Sequence, residues 1–510
     1  MAELRVEKYS HHFRVIRITP RARPAVIGFV RRFIHYQLRK KRGHFENTAE
    51  KTYAFRTEDK TEFSFHINTF DDFIEHLTQF HLKGDLVEVV TMKEAHAEPA
   101  EFEFQPGWEP YDYQLPFIEY LSTTYPDGPR AKLGAIQTGK GKTFSSLWSV
   151  AKRGVRAAII VKARFFDQWI EAVHDHLVLD PKKDVMIIRK GEHLKGLIDL
   201  AMRGEYCSKI VLIASDIIHN YVKAYKFYGE GIEHLGFGCP PRLLFHYLGV
   251  GERVIDELHE DFHRWFLFDL QTHVQNSTSL TASLVADDHH IQRMMDTMHP
   301  PETRYQGQEY HKYVAATAVF YRFAKPTEIK STNKQGYYSQ HELESWILED
   351  DQRTTNYMEF IHQLVLGDYF QGRRDGDKCL VYASSIDMCT MLADYFSQTY
   401  PMLDCRRYTE LDPRENVIEP HIRFTTLGKA GAAVDIPGLT SVILSNARKA
   451  TSSNIQGFGR LRELKDGRTP RFTYAVCEDI SKQLEYHEAK QLLLRDMALS
   501  RTSFTYGTPI

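Results

Sequence analysis

Short apolar runs open the chain. Leu4-Arg5-Val6 and Phe13-Arg14-Val15-Ile16-Arg17-Ile18 predict strands. From Pro24 to Leu38 the spacing sets Val26, Val30, Phe33 and Ile34 on one face and predicts a helix. Phe63 to Ile67 reads as a strand and Phe70 to Phe80 as a second helix, so residues 1–92 form a small α/β module. Residues 93–107 break the pattern: the charge changes sign, small residues accumulate and two prolines block regular structure, which predicts a linker. Beyond it, apolar runs of strand length alternate with helical stretches. Lys132–Ile136, Arg156–Val161, Lys209–Ala214 and Arg253–Ile255 make a first series. Cys379–Tyr382, His421–Phe424, Ser441–Leu444 and Arg471–Val476 make a second. Strands this continuously apolar are buried on both faces, which predicts an α/β chain with two parallel-sheet domains, 108–322 and 323–510.

A chain of 510 residues is too long for one core, in keeping with several domains. No apolar run is long enough to span a bilayer, and the first residues lack the apolar core of a signal peptide. The six cysteines are scattered without a Cys-x-x-Cys pair, which argues against a structural zinc site or a disulfide framework and fits a reducing cytoplasm. Net charge is −2, so any surface for a polyanion must be local. One block qualifies. Between Lys8 and Phe45 there is no acidic residue, while Arg14, Arg17, Arg21, Arg23, Arg31, Arg32, Arg39, Lys40, Lys41 and Arg42 all fall there. Such a block suits phosphate neutralisation, with a solvated basic face as the plain alternative.

The candidate chemistry starts at Gln137-Thr138-Gly139-Lys140-Gly141-Lys142-Thr143, between a strand and a helix. Glycines there let backbone N–H groups face phosphates, and the helix N-terminus adds partial positive charge. Lys142 would reach the β- and γ-phosphates of ATP, and the Thr143 hydroxyl would ligate Mg²⁺. Asp256-Glu257-Leu258-His259 ends a strand. Asp256 is assigned to the metal and Glu257 to the base that deprotonates the attacking water. Hydroxyls of the next strand end, Thr281 and Ser283, would hydrogen-bond this acidic tetrad. Gln456-Gly457-Phe458-Gly459-Arg460-Leu461-Arg462 offers arginines able to reach a γ-phosphate across a cleft.

In that order these motifs resemble motifs I, II, III and VI of superfamily 2 helicases, over roughly residues 108–480. Trp108–Gln114 looks like the aromatic/Gln element upstream, which implies adenine contacts from Tyr111 and Gln114. Val161–Arg164 looks like motif Ia, which implies that Lys162 and Arg164 grip nucleic acid; Ser215, Ser384 and Thr425 sit at further backbone-gripping motifs. Asp435 falls in motif V on the nucleotide side, and Gln456 in motif VI beside the catalytic arginines. His259 would couple motif II to Thr281 and Ser283. Departures are Ile136 for the first glycine of motif I, Lys162-Ala163 for Pro-Thr, Ala433 for a glycine, and Glu463 where the last arginine usually stands. Arg460 is therefore the safer finger and Arg462 the displaced one.

The small basic module ahead of two RecA-like domains is most similar to the bacteriophage UvsW-type DNA helicases. That implies a monomeric, ATP- and Mg²⁺-dependent enzyme of the host cytoplasm that unwinds, anneals or regresses branched or duplex DNA with little sequence preference. The module would contribute Arg31, Arg32, Lys40 and Lys41. Two other readings stay open: a duplex translocase subunit of a restriction or defence complex, and a weakly hydrolysing nucleotide-dependent clamp.

Overall fold

The structure, a computed structural model, describes residues 2–41, 44–123, 131–137, 139–281, 288–305, 307, 311–410, 412–413, 415–426, 436–447 and 457–510. The chain divides into two compact units, Met1–Ile136 with Lys140–Gly307, and Gln137–Gly139 with Gln308–Ile510. Among the described residues no helix is long and apolar enough to cross a membrane.

The first unit opens with strands β1 (Leu4–Lys8) and β2 (His12–Ile16) and the helix Arg23–Val30. One 3-10 turn, Arg31–Phe33, then leads into a hairpin of β3 (Ile34–Lys41) and β4 (His44–Thr52). This corrects the single helix expected over Pro24–Leu38. Val26, Val30 and Phe33 are buried as the helical spacing requires. From Ile34 onward the backbone pairs instead with β4, a long-range partner that local periodicity cannot reveal. Strands β5 (Phe55–Arg56), β6 (Phe63–His66) and β7 (Val87–Thr91) complete a five-stranded sheet in the order β5-β6-β2-β1-β7. Phe13, Phe29, Phe65 and Phe73 fill its core, with ring centroids 5.0–5.7 Å apart.

Residues 93–107, expected to be a linker, lie against the next sheet domain. Pro99 bridges to Val155 and Phe104 to Leu177, while the Gln275 amide donates to the Ala95 carbonyl at 3.0 Å. That domain holds β8 (Ala131–Ala135), β9 (Ala157–Val161), β10 (Val185–Ile188), β11 (Ile210–Ala214), β12 (Glu252–Ile255) and β13 (Asn276–Thr281). The order is β10-β11-β9-β12-β13-β8, and every pairing is parallel. All C-terminal strand ends therefore share one edge, where α/β sheets place their ligands.

The module is fastened to this domain by buried charge. Asp269 has no exposed surface; it accepts from Arg253 at 2.5 Å and contacts His66 at 3.1 Å. Arg14 pairs with Glu62 and Glu230 at 2.6 Å each. It therefore serves the seam and drops out of the basic block read from the sequence. Tyr53 packs edge-on to Phe266 at 5.3 Å, and His263 reaches the Thr52 carbonyl at 2.9 Å.

The second unit has β14 (Ala315–Tyr321), β15 (Lys378–Ala383), β16 (Cys405–Tyr408), β17 (Ile422–Thr426), β18 (Leu439–Leu444), β19 (Arg471–Cys477) and β20 (Ser500–Thr505). Their order is β16-β17-β15-β18-β19-β14-β20, again wholly parallel. The chain is thus α/β, with a small α/β module followed in sequence by two wholly parallel sheet domains.

Candidate functional site

In the first sheet β13 separates β8 from β12. The glycine loop leaving β8 and the acids leaving β12 therefore flank the end of β13 on the same edge. Gly139 and Gly141 have φ of 85° and 81°, in the left-handed region that a side chain would strain. Gly141 is the N-cap of the helix Lys142–Arg153 and makes no side-chain capping bond. No acid lies in its first turn. The helix end keeps its positive character, as a phosphate cradle requires.

Gln114 is buried beneath this loop. Its Nε2 donates to the Lys140 carbonyl at 3.1 Å, and its Oε1 accepts from the Tyr111 N–H at 3.0 Å. A Cβ at Gly141 would collide with the same amide nitrogen. The glutamine thus senses the loop's shape, and both ends of its amide are engaged by the protein. Tyr111 is well exposed and stacks on Tyr113 at 5.5 Å, leaving an aromatic surface open for a base.

Lys142 Nζ lies 3.5 Å from Glu257 Oε1. Beside it Asp256 is nearly buried. Its Oδ1 accepts the Glu257 N–H and its Oδ2 accepts Trp169 Nε1–H, both at 2.9 Å. Burial and the neighbouring Glu257 charge push the Asp256 carboxyl up. Burial opposes ionisation of Glu257 too, but Lys142 and His259 outweigh it and hold that carboxyl below its ordinary value. Charge therefore settles on Glu257, the assigned base, against the lysine it would share with a γ-phosphate. Glu257 itself has φ of 53°, a left-handed conformation that is strained for a side chain of this size. His259 Nδ1 lies 3.1 Å from Thr281 Oγ1 and 3.3 Å from Glu257 Oε2, joining the acids to the end of β13. Burial keeps this imidazole's pKa down.

The donors suit ATP with Mg²⁺. Among the described residues no group of three or more His, Cys, Asp or Glu could hold a metal alone. One carboxylate, Asp256, with the hydroxyl of Thr143, the residue after Lys142, is the hard-oxygen set of a Mg²⁺ ion completed by phosphates and water. Thr138 and Ser283 lie outside the described residues.

The residues assigned to nucleic acid divide. Lys162 pairs with Glu260 at 3.1 Å and Asp261 at 2.8 Å, and Arg164 pairs with Glu260. Motif Ia is thereby tied to the acids just after the tetrad, a link no sequence spacing announces. Ser215 is buried as the first residue of the helix Ser215–Tyr228. Arg31 and Arg32 are exposed on their 3-10 turn, with Arg32 3.3 Å from His76 Nδ1. Lys40 and Lys41 lie in β3 at the far end of the hairpin.

In the second unit the N–H of Ser384 and both N–H and hydroxyl of Ser385 donate to the buried carboxylate of Glu344, at 2.7–2.8 Å. Glu344 thus anchors the Ser384 backbone, while the Ser384 hydroxyl itself has no hydrogen-bond partner among the described residues. Thr425 is fully buried and donates to the Tyr408 carbonyl at 2.6 Å, so its hydroxyl does not face a ligand; this corrects its assignment. Arg460 is nearly buried and hydrogen-bonds the Tyr382 phenol. Arg462 Nη1 donates to the Gly459 carbonyl at 2.5 Å. Residues 461–464 are not helical. Gln456 and Asp435 lie outside the described residues. Trp169, Glu260, Glu344 and Tyr382 are the participants the sequence reading left without a role. Tyr382 stood at the end of a strand read from the sequence, whereas Glu344 had no signal at all.

No family model matches the chain, and no curated protein matches it in sequence. Solved structures do resemble it. S. cerevisiae Dbp5 bound to RNA and ADP BeF3 is 11% identical, over 78% of this chain and 90% of that one, with a TM-score of 0.49. Mss116p bound to ssRNA and AMP-PNP is 13% identical, over 78% and 75%, with a TM-score of 0.47. Likeness at this level says nothing of substrate or activity.

Proposed function

We propose that this chain is a superfamily 2 ATP-dependent DNA helicase or translocase of the UvsW type, acting on branched or duplex DNA. The observation that carries the reading is the meeting of Lys142 with Glu257 beside Asp256, at the mouth of an uncapped helix that follows a glycine loop. Lys142 would neutralise the terminal phosphates, and Glu257 would take the proton of the attacking water. Thr143 and Asp256 would hold Mg²⁺, which supplies charge neutralisation at the phosphate oxygens. His259 links the acids to Thr281, so a change at the tetrad is felt at the end of β13.

The test is ATP turnover alone and with forked DNA, duplex DNA and single-stranded RNA in turn, followed by strand displacement on the fork. RNA, the polymer bound in both solved structures above, is the competitor. Stimulation by DNA with strand displacement supports the reading. Stimulation by RNA alone shifts the substrate, and absence of ATP turnover removes the proposal.

A further inference from the structure

The helix Ser215–Tyr228 begins at the functional edge of the first parallel sheet and runs away toward the N-terminal module. Its later turns line a cavity of about 330 Å³ at the seam between module and sheet domain. Lys223, Lys226 and Phe227 come from this helix, Arg264 from the helix Phe262–Asp269, and Phe55 from β5. No carboxylate is among the residues lining it.

Three features give this cavity a chemistry. Lys223 and Lys226 are exposed, and neither has a carboxylate within ion-pair distance among the described residues. Spaced three residues apart, they share a helix face. Arg264 has only a long contact with Asp216, at 3.4 Å, with both side chains more than half exposed, which counts for little in water. Lys51, exposed at the end of β4, adds its charge to that of Lys226 at His263. Like charges gathered this closely repel one another, and a polyanion relieves that repulsion. Phe227 is 52% exposed beside them, an apolar ring that water does not favour and on which a base can stack.

The cavity also continues the motif surface. Lys162 and Arg164 bond the Glu260–Asp261 pair, and the helix carrying Arg264 starts at the next residue. We propose that this pocket is a nucleic-acid subsite in which Lys223, Lys226 and Arg264 hold backbone phosphates and Phe227 stacks on a base. The module then serves as one wall of the track. This rests on the nucleic-acid reading above and adds a contact that no helicase motif supplies.

The experiment uses the full chain, a fluorescent forked DNA with a single-stranded arm, and titrations across a range of salt. The double variant K223E/K226E should bind the fork at least about tenfold more weakly. Its log–log salt slope should fall by about two, one phosphate per lysine. ATP turnover without nucleic acid should not change. K223Q/K226Q should show the same loss in smaller measure. F227A should weaken the single-stranded arm and leave the salt slope intact. A wild-type protein that binds no DNA or RNA overturns the nucleic-acid reading as a whole. A wild type that binds, with a double variant of equal affinity and slope, overturns the pocket alone. Lysine-dependent capture by vesicles of anionic phospholipid, with fork binding unchanged, assigns the pocket to a lipid surface and likewise overturns it.

Discussion

Trp169 fixes Asp256: its indole N–H donates to Oδ2 at 2.9 Å, between two side chains that are 1% and 8% exposed. The tryptophan comes from the helix after β9, the strand beside β12. Trp169→Phe removes the donor and keeps an aromatic ring. The orphaned carboxylate oxygen should cost about 1–3 kcal/mol, and the carboxylate is then free to turn. The expected result is a raised Mg²⁺ requirement for ATP turnover, with turnover at saturating Mg²⁺ within about tenfold of wild type. A Mg²⁺ titration checks this; an unchanged requirement would leave the tryptophan a packing role only.

Glu257→Gln keeps the shape of the base and removes its charge. Nucleotide binding should persist while hydrolysis falls on the order of 10²-fold or more. Lys142→Ala should abolish turnover through the phosphates instead, leaving nucleic-acid binding largely intact. Nucleotide affinity measured beside single-turnover hydrolysis separates the two. Turnover of the glutamine variant within severalfold of wild type would name another base.

What the sequence made legible was the part written in local spacing. The glycine loop, the acids at the end of β12 and the strongly apolar strands each carry their signal within a few residues. The hairpin Ile34–Thr52 was missed because a helical face ending at Phe33 hides where pairing with a distant strand begins. Strand β20 was missed because all its residues are exposed, so no burial pattern marks it. β14 begins with small residues, Ala315-Ala316-Thr317-Ala318, that favour neither element clearly. At the sites, contacts between segments were invisible. Glu260 between Lys162 and Arg164 turns residues read as ligand grips into internal pairs, and Glu344 anchors the backbone of Ser384–Ser385.

The seam between module and sheet domain should be acid-labile. Burial pushes His12 and His299 down to about 3 and His11 well below its ordinary value. In the unfolded chain these imidazoles take protons near pH 6.5, and the folded chain refuses them. The unfolded state therefore binds more protons below that point, so stability is complete above about pH 6.5 and is lost as pH falls toward about 3. Asp269, held low by Arg253 and His66 against its burial, adds a further loss below about pH 4. Melting temperatures at pH 7.5 and 5.0 measure the first window. Among the described residues His299 has no hydrogen-bond partner at either ring nitrogen, so His299→Phe should flatten this dependence without loss at neutral pH. A variant as acid-sensitive as wild type would exclude this histidine.

Breaking the ion pair itself should cost far more than any surface change. Asp269→Asn leaves the Arg253 guanidinium buried without its counter-charge, although Ser277 and Thr272 still accept from it at 2.5 and 2.6 Å. The expected loss is about 3–5 kcal/mol, seen as a lower urea midpoint. An unchanged midpoint would mean that the hydroxyls alone satisfy the guanidinium.

The motif VI arginines are separated by what each one holds. Arg460 is nearly buried and hydrogen-bonds Tyr382, a fully buried phenol in β15, so its place is set by the sheet itself. Arg462 donates back to the Gly459 carbonyl at 2.5 Å and lies in a non-helical stretch. If Arg460 stabilises charge only in the transition state, Arg460→Ala should lower kcat on the order of a hundredfold with little change in ATP affinity. Tyr382→Phe frees the guanidinium without removing it and should cost only severalfold. Arg462→Ala should be the mildest in kcat and should show instead as looser packing of residues 457–464, read by faster hydrogen exchange there. ATP affinity and kcat of the three variants, at saturating nucleic acid, decide the order. A dead Arg462→Ala beside a near-normal Arg460→Ala would move the finger to Arg462 and leave Arg460 as part of the fold.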